Sequence, residues 1–192
     1  MIACDTILAS PNLLVIKNDL LKYHRLQDNF LLVTSGCYSD VRVLVRHIRA
    51  AMELHRMQFN RDYSHHELTH KISMIMREDL TFESTLKLMV TYYNEKEGAQ
   101  LKILDGGKDI QSVDCAGQGM MGTEVCSSYI QPIYRPNMTE DQAYLCIKES
   151  MKIVLSRIPI NYPRIKLVLV GKSGIVEKPD IRDVDLATIS QV

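Results

Sequence analysis

Residues 113–155 constrain this chain more than any other stretch. A strand-like run ending in Cys115-Ala116-Gly117-Gln118-Gly119 leads into a helical segment, then the corner Tyr134-Arg135-Pro136-Asn137-Met138-Thr139-Glu140, then a second helical segment. Gly117 and Gly119 let the backbone turn sharply out of a strand, because glycine accepts positive φ without a Cβ clash. Pro136 cannot extend a helix and is expected to stop the first one. Thr139 reads as the N-cap of the second: Gln142 completes a capping box, and Glu140 and Asp141 suit the positive end of the helix dipole. Arg164-Ile165-Lys166-Leu167-Val168-Leu169-Val170 follows as a strand, closed by the turn Gly171-Lys172-Ser173-Gly174-Ile175. By itself the pattern shows a mixed α and β chain and no more.

The first half repeats that alternation. Short apolar runs at residues 7–9, 13–16 and 30–33, broken by Ser10-Pro11-Asn12 and ended by Thr34-Ser35-Gly36, read as buried strands joined by tight turns. Asp40 is expected to cap a helix reaching about Met57, with Val41, Leu44, Val45, Ile48, Ala51, Met52 and His55 on one buried face. The other side of this helix is basic: Arg42, Arg46, Arg49 and Arg56, with Glu53 among them, fall within about 40° of one line at 100° per residue. This is either a solvated face or a contact surface for an acidic partner. Ser64 and Glu67 form a second capping box, opening a helix whose apolar stripe is Leu68, Ile72, Ile75 and Met76. Strands are expected over 85–94, 99–104 and 109–116, with hairpin turns at Asn94-Glu95-Lys96-Glu97-Gly98 and Asp105-Gly106-Gly107-Lys108.

Composition narrows the function classes. With 192 residues, 46% of them hydrophobic, one substantial core is possible and a second domain is not required. Lys plus Arg and Asp plus Glu both total 23, so no net charge concentrates a polyanion, and nucleic acid is not an expected partner. Cys4, Cys37, Cys115, Cys126 and Cys146 are odd in number and contain no C-x-x-C pair, which fits reduced thiols in a cytosolic-type compartment. The start, Met1-Ile2-Ala3-Cys4-Asp5, lacks the basic region of a signal peptide, and no apolar run approaches the ~18 residues of a membrane span. A soluble intracellular protein without membrane contact is expected.

Two strings carry possible chemistry. His66-Glu67-Leu68-Thr69-His70 fits H-E-x-x-H, in which two histidines one helical turn apart share zinc and the glutamate acts as general base. By helical angle, however, His66 and His70 share a face with Ser73 and Arg77, roughly opposite the apolar stripe, and so point to solvent. No histidine follows, so a third ligand falls to a carboxylate such as Glu83, Glu95 or Glu97. Gly171-Lys172-Ser173 mimics the end of a phosphate loop, but Lys166 stands where that motif needs glycine, so a hairpin turn is the better reading. No cofactor is called for.

Taken together, the unit from Val113 to Leu155, the strand and turn after it, and Ser10-Pro11-Asn12-Leu13-Leu14-Val15-Ile16-Lys17-Asn18-Asp19 resemble β-type subunits of the 20S proteasome core particle. The resemblance runs from about Ser10 to Ile175. It implies an α+β, four-layer αββα sandwich of the N-terminal-nucleophile (Ntn) hydrolase type, two antiparallel sheets between helix pairs. It further implies one domain over residues 1–176 and a tail over 177–192 that lies partly along a neighbouring subunit. Lys22 stands fourteen residues before Gly36, the spacing of the family's active-site lysine, and Asp19 matches its aspartate, though the gap between the two is shorter than usual, as if a hairpin had been lost.

Active members of that family use an N-terminal threonine whose own amine helps activate the hydroxyl. Counting back from Asp19 reaches Ala3, where no Gly-Thr pair exists; Thr6 is the nearby hydroxyl, and exposing it would need a cut after Asp5. Gln118 replaces the family's serine, and Arg157-Ile158-Pro159-Ile160-Asn161-Tyr162 replaces its aspartate and further serine. The resemblance therefore implies a non-catalytic subunit, best matched to the fourth β position, with the third and sixth as alternatives. Its implied partners are the other α-type and β-type subunits in stacked seven-membered rings, about 28 chains in all, with the regulatory particle reached indirectly, in cytoplasm and nucleus. The competing readings are a zinc peptidase through His66, Glu67 and His70, a threonine hydrolase through Thr6, and a stand-alone homo-oligomer of the same fold.

Overall fold

The computed structural model describes residues 1–10, 12–78, 86–105, 110–117, 123–157 and 163–182. They form two compact units, one comprising residues 23–113 and the other residues 1–22 with 114–192.

In the unit of residues 23–113, an antiparallel sheet runs in strand order β4 (Tyr23–Gln27), β5 (Phe30–Gly36), β6 (Leu86–Asn94), β7 (Gly98–Asp105), β8 (Gln111–Ser112). Helices α1 (Tyr38–Phe59) and α2 (His65–Glu78) pack on it. Period-two alternation on β6 sends Leu86, Leu88, Val90 and Tyr92 to one face, where they meet Leu44 and Ile48 of α1 and Leu68, Ile72 and Met76 of α2. Each of these side chains is essentially fully buried, which for the aliphatic ones and Met76 stabilises the fold by about 1.5–3 kcal/mol apiece relative to exposure. The three-and-four spacing of the sequence thus identified the inner faces of both helices. His55 also lies inside, stacked on Tyr63 at 3.7 Å and tilted against Phe59 at 4.7 Å. The hairpin from Asn94 to Gly98 forms as expected, with Gly98 at φ 73°, a conformation a side chain would strain.

The other unit contains a three-stranded antiparallel sheet in the order β1 (Ile2–Asp5), β9 (Arg164–Gly171), β10 (Gly174–Arg182). It also holds the ribbon of β2 (Leu8–Ala9) with β3 (Val15–Lys17), and helices α3 (Thr123–Ile133) and α4 (Glu140–Arg157). Tyr144, Ile147 and Met151 of α4 pack on Ile165, Leu167 and Ile181 of the sheet. Between the helices, Pro136 precedes Asn137 at φ 68°, the arrangement of a tight turn with its third residue left-handed. Thr139 and Gln142 then make both bonds of the capping box: the Thr139 amide donates to Gln142 Oε1 at 3.0 Å, and the Gln142 amide donates to Thr139 Oγ1 at 3.3 Å.

The structure corrects several local expectations. Cys37, and not Asp40, is the N-cap of α1 and makes no side-chain cap bond; Asp40 sits in the first turn, where its charge suits the dipole. Leu13, Leu14, Val15 and Ile16 are exposed where a buried strand was expected, because β3 pairs only with β2 in a two-stranded ribbon. The strand expected over 109–116 is reduced to Gln111–Ser112. Helix α3 ends at Ile133, before Pro136 can act. β1 and β4 were not anticipated. The boundary at residue 176 also moves: β10 pairs with β9 as far as Arg182, with a register shift between Lys178 and Ile181 that hides the alternation. The residues after 182, the remainder of the expected tail, lie outside the described residues.

Candidate functional site

Chemistry-bearing side chains gather where β1 ends. Register pairs Asp5 with Ile165, and the chain then turns so that the Thr6 carbonyl accepts from the Leu20 amide at 2.9 Å. This brings residues 5–7 against residues 18–22. Lys22 Nζ donates to both Asp5 carboxylate oxygens, at 2.7 and 2.9 Å, and the Ile7 amide donates to Asp5 Oδ1 at 2.9 Å. Both ion-pair side chains are about a quarter exposed (27% each), so the pair is better shielded from solvent than an exposed pair such as Lys17–Asp19. Thr6 is buried, 1% exposed, and its hydroxyl donates to the Asn18 carbonyl at 2.8 Å, with the Arg164 carbonyl at 3.3 Å. Cys4, one residue before, is buried as well; desolvation first, and the Asp5 charge second, push its thiol up to about 12 against a smaller opposing effect of Lys22.

A lysine, a carboxylate and a hydroxyl thus meet, but not in a nucleophilic arrangement. The Thr6 hydroxyl hydrogen is directed at backbone carbonyls, its oxygen is closed to solvent, and its nitrogen lies in the peptide bond to Asp5. Releasing an amine there would remove β1, all four of whose residues pair with β9. Asp19 does not join Lys22 as the resemblance implied. It is exposed and pairs with Lys17 at 3.4 Å, and the carboxylate that meets Lys22 is Asp5. Asp5 escaped sequence reasoning because β1 did; the short apolar run Ile2-Ala3-Cys4 was its signal. Gln118 lies outside the described residues, beside Gly117, whose amide donates to Ser127 Oγ at 3.2 Å.

The H-E-x-x-H string forms the first turns of α2, and its glutamate is engaged elsewhere. Glu67 takes both guanidinium nitrogens of Arg61, at 2.8 and 2.9 Å, and accepts from the Ser64 amide at 2.8 Å, while the Ser64 hydroxyl accepts from the Glu67 amide at 3.3 Å. Arg61 first, then the Ser64 bonds, hold the Glu67 carboxyl far below the usual carboxylate range, the opposite of what a general base near neutrality needs. His66 is exposed, with Nε2 3.1 Å from Glu97, and His70 is exposed on the same helix. Both line an open surface depression with Tyr63, Thr69, Lys71 and Lys102. Among the described residues no three His, Cys, Asp or Glu side chains come together to hold a metal ion. Among the described residues the zinc-peptidase geometry does not form; Glu83, one of its candidate ligands, lies outside them.

Arg42, Arg46, Arg49 and Arg56 are all exposed along α1, as their spacing required. No described helix is long and apolar enough to cross a membrane.

Residues 1–170 match the family model of proteasome subunits. The chain belongs to the proteasome subunit family. It is 26% identical to proteasome subunit beta 2 of Thermofilum pendens over 157 residues, covering 82% of this chain and 76% of that one. It is also 26% identical to the proteasome subunit beta of Methanothrix thermoacetophila over 160 residues, with 82% and 76% covered. A probable proteasome subunit beta type-1 of Schizosaccharomyces pombe matches at 24% over 157 residues, with 82% and 69% covered. These relatives place the chain among the β-type subunits. Its fold is accordingly that of the proteasome family, the α+β sandwich of the Ntn-hydrolase class; each compact unit, taken by itself, holds an antiparallel sheet and a helix pair. Membership also gives it a role in the multi-subunit proteasome core, a complex whose hydrolytic class is threonine-type.

Proposed function

We propose that this chain is a non-catalytic β subunit of the proteasome core, a wedge whose work is geometric. Heterologous contacts close a ring only when every position is filled, so a subunit without a nucleophile is still required for degradation by its active neighbours. The observation that carries this reading is Thr6: its hydroxyl is buried, committed to backbone carbonyls and preceded by a paired strand, while Lys22 is held by Asp5.

Within the β ring, the fourth position is our assignment. It is supported by Glu53-Leu54-His55-Arg56-Met57 at the end of α1 before Tyr63-Ser64, and by Arg157-Ile158-Pro159-Ile160-Asn161-Tyr162-Pro163 leading into β9. The third and sixth positions are the alternatives. On this reading the chain sits in a seven-membered β ring stacked on an identical ring between α rings, about 28 subunits in all. It serves ubiquitin-dependent degradation in cytoplasm and nucleus and meets the regulatory particle only through the core.

The test is a gentle affinity purification of a tagged copy, followed by native mass spectrometry and treatment of the particle with an electrophilic peptide that labels N-terminal threonines. The expected result is a particle of about that size in which other β chains are labelled and this one is not. Recovery of the chain alone or as a small homo-oligomer would overturn the structural role; label on Thr6 would overturn the loss of catalysis.

A further inference from the structure

The depression beside His66 and His70 carries positive charge that a zinc site has no use for. Its volume is about 640 Å³, within the ~300–1,000 Å³ of small-molecule sites. One wall is α2, where His66, His70 and Met74 recur at four-residue intervals; the other is the edge of the sheet, where register sets Lys102 of β7 opposite Ser112 of β8. Directly paired residues share a sheet face, and Lys102 also pairs with Val90, whose side chain meets the helices. Lys71 and Lys102 are both half-buried, and neither meets a carboxylate among the described residues. Lys102 Nζ lies 5.3 Å from the Tyr92 ring centroid and the His66 ring lies 5.9 Å from the same ring, which offsets only part of what desolvating an ammonium group costs. The neighbouring acids are already engaged, Glu67 by Arg61 and Glu97 by His66.

We propose that this depression binds a small organic phosphate, its phosphate group taken by Lys71, Lys102 and His70 and its apolar body by Tyr63, Met74 and Ile110. The site uses no residue of the Thr6 and Lys22 cluster and stands whether or not the ring reading does. A phosphate dianion satisfies two ammonium groups at once where a carboxylate satisfies one; lysine serves phosphate as a point charge, and the Ser112 hydroxyl is a further donor. Thr69 adds none, because its hydroxyl donates to the His65 carbonyl at 2.7 Å. A dication would be repelled by the same two lysines. Bare phosphate fits less well than an ester, since it leaves the apolar part of the lining uncovered, Met74 being 42% exposed.

The experiment titrates the purified chain with phenyl phosphate, inorganic phosphate and benzoate by calorimetry, and compares wild type with the Lys71→Gln/Lys102→Gln variant. Saturable binding of phenyl phosphate is expected, tighter than that of either other probe and weakened about tenfold or more in the variant, the least that losing a charge-assisted hydrogen bond produces. Equal affinity for inorganic phosphate overturns the organic ligand, equal affinity for benzoate overturns the phosphate, and unchanged binding by the variant overturns the placement; no saturable binding overturns all three. NMR of the unaltered chain gives a readout independent of variant folding. The His66 and His70 ring resonances are expected to move as phenyl phosphate is added, while that of His24, on β4, stays in place. Shifts at neither His66 nor His70, or equal shifts at all three, overturn the site.

Discussion

Replacing Thr6 by valine separates a structural hydroxyl from a catalytic one. Valine keeps the shape of the buried side chain and removes the donor to the Asn18 and Arg164 carbonyls. A typical hydrogen bond contributes about 1 kcal/mol net, and an acceptor left unsatisfied in a buried site costs ~1–3 kcal/mol. Asn18 and Arg164 both belong to exposed residues, so water can partly replace the lost donor. The expected destabilisation is therefore at the lower end, ~1–2 kcal/mol. In a chain of this length each kcal/mol moves Tm by roughly 2–4 °C, giving a drop of about 2–8 °C by thermal unfolding of the purified chain. Thr6→Ser is the control: it keeps the hydroxyl and loses one methyl, about 0.8 kcal/mol. Particles carrying either variant should hydrolyse peptides at the wild-type rate per particle. The reasoning fails if Thr6→Val leaves Tm within about 1 °C of wild type, below the smallest loss expected. It fails equally if Thr6→Val particles lose a peptidase activity that Thr6→Ser particles keep, since a nucleophile tolerates serine and not valine.

Other consequences are open to direct measurement. Truncation after Val176 removes Ile181, 1% exposed and packed on Ile165 and Leu167, and should destabilise the isolated chain by ~2–5 kcal/mol in denaturant titration; an unchanged midpoint would contradict the packing of β10. In thiol labelling of the native chain, exposed Cys37 should react well before Cys4, which is buried with its thiol pushed up to about 12; equal rates would contradict the burial of Cys4. Glu67 has its folded-state pKa depressed below the ordinary 4.5, so its contribution is present above that value and is lost as pH falls through the folded one. Glu67→Gln should accordingly lower Tm at neutral pH, with the gap from wild type closing on acidification below about 4.5; a gap constant with pH would show that the ionised carboxylate contributes nothing. The same variant, like His66→Ala, should leave particle peptidase activity unchanged, and a loss would restore the zinc reading.

Much of the local architecture was legible in the sequence. The inner faces of α1 and α2 followed from three-and-four spacing, both capping boxes formed with the residues expected, and the hairpins at Asn94–Gly98 and Gly171–Gly174 closed where the turn residues stood. The misreadings share a cause. Leu13–Ile16 looks like a core strand because apolar side chains signal burial, yet burial depends on what lies opposite, and β3 has only β2 beside it. β10 lost its alternation to a register shift, which no window of adjacent residues can reveal.

The candidate site divides along the same line. Sequence alone determined that Lys22 stands fourteen residues before Gly36, that Thr6 directly follows Asp5, and that four arginines share one helix face. Those are properties of residue type and of spacings within a few helical turns. Only the tertiary structure decided that Lys22 is held by Asp5 and not Asp19, that Thr6 is sealed against carbonyls of residues 18 and 164, and that the Glu67 carboxylate is engaged by Arg61 and Ser64. Strand register chooses the first two partners: the pairing of β1 with β9 sets a hydroxyl at position 6 against a carbonyl 158 residues away. For Glu67, the geometry of a capping box left its carboxylate within reach of one particular guanidinium.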